Sequence, residues 1–132
     1  MRSLLLIPVI AALGACVPTS EPGSATLTGT VTYRERIALP PDSRVIVSIE
    51  DVSLADAPSV TIAQNQIATA GQQVPISFAL SYDRARIQPG RRYAVSARIL
   101  DRQGKLAWIT DTFNPLPPPG LNIELRLVQA RR

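Results

Sequence analysis

Tyr93-Ala-Val-Ser-Ala-Arg-Ile-Leu-Asp-Arg-Gln-Gly-Lys-Leu-Ala-Trp-Ile-Thr110 is the stretch that decides the fold class. Tyr93, Val95, Ala97 and Ile99 alternate with Ala94, Ser96 and Arg98, the period-two pattern of a strand with one face buried. Leu106, Trp108 and Thr110 repeat it against Ala107, Ile109 and Asp111. Between them, Asp101-Arg-Gln-Gly104-Lys105 carries turn chemistry: an Asp able to bond its own backbone and a Gly free to take a positive φ. The stretch predicts two antiparallel strands, 91–101 and 105–112, joined by a tight hairpin.

The alternation recurs on both sides. Toward the C-terminus, Ile123, Leu125 and Leu127 alternate with Glu124 and Arg126. Toward the N-terminus it appears in Leu27, Gly29, Val31 and Tyr33, in Val45, Val47 and Ile49, and in Val74, Ile76, Phe78 and Leu80. Val60 and Ile62 open a weaker strand that runs polar through Gln64 and Gln66. Pro40-Pro41-Asp42, Ala57-Pro58, Gly71, Pro89-Gly90 and Pro115 to Gly120 separate the runs. Seven short strands with turns at this spacing predict an all-β domain over residues 27–132, an antiparallel β-sandwich. Pro75 has no amide donor, so its strand lies at an edge or begins there.

The first fifteen residues read differently. Arg2 is a short positive region, residues 4–13 are an apolar run, and small Gly14 and Ala15 follow, the layout of a secretory signal peptide over 1–15. A spanning helix needs about 20 apolar residues, more than this run supplies. Leu13-Gly14-Ala15-Cys16 resembles the lipobox of bacterial lipoproteins. By that resemblance the chain is cut between Ala15 and Cys16, and Cys16 carries a diacylglyceryl group, its new N-terminus also acylated with a chain such as palmitate. Two or more acyl chains anchor a protein stably, at about 0.8 kcal/mol per buried methylene. Val17 stands where an Asp would retain an enteric lipoprotein in the inner membrane, which implies the outer membrane, facing the periplasm. Residues 16–26, rich in Pro, Ser and Gly, read as the lipidated Cys and a flexible tether that keeps the domain within roughly 15–20 Å of the bilayer.

Composition excludes more than it assigns. There is one cysteine and no histidine, so no intrachain disulfide forms, and the usual zinc ligand and general base are missing. A Ser-His-Asp arrangement cannot be built. No phosphate loop, dinucleotide fingerprint or calcium-loop spacing occurs. Glu50 and Asp51 are adjacent on a strand and so face opposite sides, and the other acids lie mostly at turns. These features predict a protein that is not an enzyme, with no metal and no cofactor. The formal net charge is only +4, without the dense basic stripe of a nucleic-acid binder, so no nucleic-acid partner is expected. Arg84, Arg86, Arg91 and Arg92, with Arg131 and Arg132 at the tail, read as solvated edge residues; the other reading is weak attraction to anionic headgroups or to an acidic partner.

Several motifs are shared with a known family. Gly29-x-Val-x-Tyr-Arg-Glu-Arg-Ile-Ala-Leu-Pro-Pro-Asp42 and Glu50-Asp-Val-Ser-Leu-Ala-Asp-Ala-Pro58 resemble the YbaY family of lipoproteins. So do Val74-Pro-Ile-x-Phe78, Tyr82-Asp83, Ile87, Pro89, Tyr93-x-Val-x-Ala-Arg-Ile99 and Thr110-Asp-Thr112, and the likeness runs over about residues 27–129. That family is grouped with the YscW type of secretion-system lipoprotein, a pilotin that helps a secretin reach and assemble in the outer membrane. The resemblance implies a β-sandwich and supplies no catalytic residues to carry over.

Together these readings predict a non-catalytic accessory of the cell envelope, anchored at Cys16 in the membrane and binding an envelope protein partner in the pilotin manner. An envelope small-ligand or glycan-binding module and a passive structural lipoprotein are the alternatives. Candidate partner-surface residues are Arg34, Glu35 and Arg36, in a loop after the first strand, and Trp108, the single tryptophan. For the loop the competing reading is a packing element that seats Ile37 and Leu39; for Trp108 it is the core.

Overall fold

In the computed structural model, residues 23–130 and Gly14 are described. The rest of the signal peptide, Cys16 and most of the tether lie outside them. Seven strands form where the period-two runs predict them: β1 (Ser24–Tyr33), β2 (Arg44–Asp51), β3 (Val60–Ala68), β4 (Ile76–Asp83), β5 (Tyr93–Leu100), β6 (Leu106–Ile109) and β7 (Asn122–Gln129). The one helical element among the described residues is a 3₁₀ turn, Arg84–Arg86.

The strands make a single sheet in the order β3-β2-β5-β6-β7-β1-β4, curled until its edges face each other. This corrects the expected sandwich. Periodicity reports which side chains turn inward, and one strongly curved sheet has the same inward face as two packed layers. The expected all-antiparallel pairing is corrected too. β7 runs antiparallel to β6 but parallel to β1, with Gly29 opposite Ile123 and Tyr33 opposite Leu127. β3 and β4 are the edges, and Asn65 Nδ2 donates to the Ala79 carbonyl across the gap at 3.1 Å. The polar run in β3 reflects this position, since an edge strand tolerates outward glutamines. Pro75 also behaves as its chemistry requires: it follows a cis Val74–Pro75 bond and immediately precedes β4, an edge strand. β1 begins at Ser24 rather than Leu27 because Ser24–Thr26 pair with Asp83–Ser81.

The core lies inside the curl. Leu27, Val31, Val45, Val47, Ile49, Ile76, Phe78, Leu80, Val95, Ile99, Leu125 and Leu127 are all buried there. Tyr33 and Trp108 stack within it, ring centroids 3.8 Å apart and planes nearly parallel, an arrangement worth about 0.5–1.5 kcal/mol beyond burial. Tyr33 Oη donates to the Ile37 carbonyl. Burial first, and the Glu35 charge second, push the Tyr33 phenol above its ordinary range, keeping it a donor. The hairpin turn is held as its sequence indicates: Asp101 Oδ1 accepts from the Gln103 and Lys105 amides, and Gly104 has a φ of 81°.

Pairing directions put the starts of β1, β3, β5 and β7 and the ends of β2, β4 and β6 at one end of the barrel, the near end. The 34–43 loop, the β5–β6 hairpin and the end of β7 occupy the far end.

Gly29 permits the parallel contact. A Cβ at this position would sit 2.0 Å from the Ile123 carbonyl oxygen, a backbone atom that side-chain movement cannot relieve. Gly29→Ala is therefore expected to destabilise the domain by about 1–3 kcal/mol, the usual cost of overpacking. That lowers Tm by roughly 5–15 °C for a domain of this size. Thermal unfolding followed by circular dichroism checks this, and an unchanged Tm would show that β1 and β7 do not approach this closely.

Candidate functional site

The near end carries a cleft of about 640 Å³. Its floor is Tyr82 and Tyr93; one wall is Arg84 with Ile87, and the other is the run Phe113 to Pro119. Each wall is fixed by bonds its own sequence supplies. Asp83 accepts from the Ala85 amide at 2.9 Å and caps the 3₁₀ turn, whose Arg84 amide donates to the Gly23 carbonyl at 2.7 Å. Tyr93 Oη donates to the Arg86 carbonyl at 3.1 Å and accepts from the Gln88 amide at 2.8 Å, clamping the 84–92 loop to β5.

The opposite wall is laid along β5. The Val95 amide donates to the Asn114 carbonyl at 2.7 Å and the Leu116 amide to the Tyr93 carbonyl at 3.1 Å, with a bridge between Ala94 and Pro115. Prolines that follow have no amide to satisfy and a fixed φ, so the run stays extended without needing a full strand partner. The result is a trough with an apolar lining and a cationic rim.

Arg84, Arg91 and Arg92 line the cleft, and no carboxylate does. The Arg92 guanidinium stands 4.8 Å above the centre of the Phe113 ring, a cation–π contact that holds the half-exposed ring in place. Arg91 and Arg92 are positioned from β2. Asp51 Oδ1 accepts from the Ser53 hydroxyl at 2.6 Å and its amide at 3.0 Å, and Asp51 Oδ2 accepts from Arg91 at 2.8 Å. Ser53 Oγ in turn accepts from the Arg92 amide at 2.9 Å. A cleft of this size, with few polar groups and an apolar wall, has the dimensions of a binding site. It has no nucleophile–base pair, and among the described residues no group of three or more His, Cys, Asp or Glu is placed to hold a metal ion.

The residues singled out in the sequence lie elsewhere. Arg34 and Glu35 flank a polar depression on the β7 side with Asp111, Glu124 and Arg126, and Arg36 is exposed beside them. Trp108 is 4 % exposed, so it is a core residue and no partner anchor; its position opposite Ile99 points it inward. Cys16 and Ala15 are outside the described residues. The cleft itself was missed, although its signals were present: four arginines bracketing Pro89-Gly90, and Phe113 ahead of a proline run.

The Ser53 hydrogen bonds, with Arg91 adding to them, hold the Asp51 carboxyl below its ordinary range. A depressed carboxylate contributes stability that is complete above its unfolded pKa and is lost as pH falls through the folded one. Asp51→Asn is thus expected to lower Tm at neutral pH and to match the wild type in acid, below the normal carboxylate range. Tm measured against pH checks this; a difference that does not shrink on acidification would contradict it.

Comparison with known proteins gives this geometry a context. The family described as type III secretion system lipoprotein chaperone (YscW) matches residues 22–127. The chain is 40% identical over 128 residues to the uncharacterized lipoprotein YbaY of Escherichia coli (strain K12), covering 95% of this chain and 67% of YbaY. It also matches the structure of an alternative pilotin from the type II secretion system of Vibrio cholerae, with a TM-score of 0.76 and 44% identity over 83% of this chain and 99% of that one. The chain belongs to the YscW family of secretion-system lipoprotein chaperones.

Proposed function

We propose that this protein is a non-catalytic, lipid-anchored accessory of the cell envelope that works as a pilotin does, and that its near-end cleft holds a segment of an envelope protein partner. The observation that carries the reading is the cleft: an open apolar trough between the 84–92 loop and the Phe113–Pro119 wall, with a half-exposed aromatic ring at its rim. Family membership supports the class of activity, since secretion-system chaperones and pilotins act by binding.

The chemistry of the trough describes the partner segment. Tyr82, Ile87, Tyr93 and Leu116 favour apolar side chains, and Arg91 and Arg92 favour a carboxylate. In the pilotin reading the segment belongs to a secretin-type subunit destined for the outer membrane. Cys16, acylated after removal of residues 1–15, holds the domain at the periplasmic face of that membrane. Trp108 is buried and offers no surface to a small ligand or glycan, so such a ligand would have to use the near-end cleft instead.

Crosslinking in intact cells followed by pull-down of the lipidated protein tests the proposal. One envelope protein is expected with the wild type. Its recovery is expected to fall about tenfold or more for Phe113→Ser, the loss typical of an aromatic anchor worth about 1.4 kcal/mol or more. Arg102→Glu, at the far end, is expected to leave recovery unchanged. Equal recovery with Phe113→Ser, or no specific protein at all, would contradict the cleft as the binding site.

A further inference from the structure

The near end also carries the point at which the tether joins the barrel. Gly23 starts the described domain and accepts from the Arg84 amide, so the chain leaves the barrel beside the 3₁₀ turn. Cys16 is seven residues further toward the N-terminus. At 3.3–3.6 Å per residue those residues reach at most about 25 Å, and as a coil about 15 Å. An eight-residue strand is itself about 27 Å long. If Cys16 is anchored, the near end is therefore held at the bilayer, because the tether is too short to run back along the barrel and present the far end.

The near end is also composed for contact with such a surface. Arg84, Arg86, Arg91 and Arg92 are all exposed there. Arg91 is engaged by Asp51, whereas Arg84, Arg86 and Arg92 have no carboxylate partner among the described residues; Arg86 gives one guanidinium N–H to the Ile62 carbonyl at 2.8 Å and Arg92 lies over the Phe113 ring, so both keep their charge uncompensated. Of the acids at this end, Asp51 is committed to Ser53 and Arg91, Asp83 to its capping bond and Glu124 to Arg126, leaving Asp56 in the β2–β3 loop and Glu50, which accepts from the Ser59 hydroxyl at 3.4 Å, as the opposing charges. Leu54, Val60, Phe113 and Leu121, four of the seven exposed large apolar side chains among the described residues, sit on loops or strand starts of this end, while Ile37 and Leu106 belong to the far end. Arginines interleaved with exposed apolar side chains are the composition of an interfacial binding surface.

We propose that the near end of the barrel docks on anionic phospholipid headgroups through Arg84, Arg86 and Arg92, with Leu54 and Phe113 entering the headgroup layer, so that the cleft opens at the membrane surface. The orientation rests on the lipid-anchor reading; the headgroup contact rests on the side chains of the near end. A partner segment seated in the trough then lies at the headgroup plane, where a subunit bound for that membrane has to arrive.

The test uses the lipidated protein in phosphatidylcholine vesicles with or without phosphatidylglycerol, all carrying a headgroup nitroxide. A fluorophore is placed on Ala55→Cys at the near end or on Arg102→Cys at the far end. The expected result is quenching at position 55 that is several-fold stronger with phosphatidylglycerol, weak quenching at position 102 in both vesicles, and loss of the phosphatidylglycerol effect in Arg84→Glu/Arg86→Glu. Equal quenching at position 55 in both vesicles, or equal quenching at both positions, would overturn the proposal. So would a charge-reversed pair that keeps its lipid response but no longer recovers the crosslinked envelope protein, since the arginines would then serve an acidic protein partner. If mass measurement shows no acyl group, the anchor reading fails by itself. Flotation of that chain on phosphatidylglycerol vesicles, abolished by Arg84→Glu/Arg86→Glu, would still uphold the headgroup contact, and absence of flotation would overturn it.

Discussion

The close approach of two backbones, β1 at Gly29 and β7 at Ile123, is the constraint on which the architecture rests. Without a side chain at position 29, the parallel strands come within contact of each other and the β4-β1 pair joins the rest of the sheet. With β7 paired on both sides, the sheet has only β3 and β4 as free edges, and its curl brings them face to face. Parallel pairing needs a long crossover rather than a hairpin, and most of the domain lies between β1 and β7 in sequence. The core is thus assembled from strands distant along the chain, and β1 and β7 are the seam.

That seam also places the cleft. The chain reaches β7 through the Phe113–Gly120 run, which must cross the near end after β6 and is held against β5 by the Asn114 and Tyr93 carbonyls. On the other side, β4 has to return to β5 through the 84–92 loop, and Tyr93 Oη ties that loop down. The trough is the space left between two restrained loops, and the Asp51–Ser53 network sets two arginines on its edge. In the proposed reading, binding depends on loops positioned by a rigid scaffold.

Much of the fold was legible in the sequence, for a physical reason. All seven strands, the Asp101–Lys105 hairpin and the edge position of the Pro75 strand follow from local chemistry: side-chain alternation, Asx bonding, a missing donor. The curl into a nearly closed barrel and the parallel β1–β7 pair are not local. They depend on which strands meet, and alternation is silent about that. The same limit applies to the site. Pro115 to Gly120 read as a break between strands, which it is, but only the return of the 84–92 loop from a distant strand turns that connection into a wall. Trp108 had two readings in the sequence, and the pairing of β6 with Ile99 decides for the core. The Arg34–Arg36 loop, prominent as a motif, lies on a separate polar depression.

The proposals combine into one arrangement: a non-catalytic domain, tied by its near end to a membrane, presenting a trough to a protein segment. The most direct measurement is site-specific photocrosslinking in living cells, with the photoreactive residue at position 113 on the cleft rim or at position 102 on the far hairpin. The account predicts a single discrete adduct with an envelope protein from position 113 and none from position 102. An adduct from position 102 alone, or none from position 113 in cells that make the lipidated protein, would contradict it.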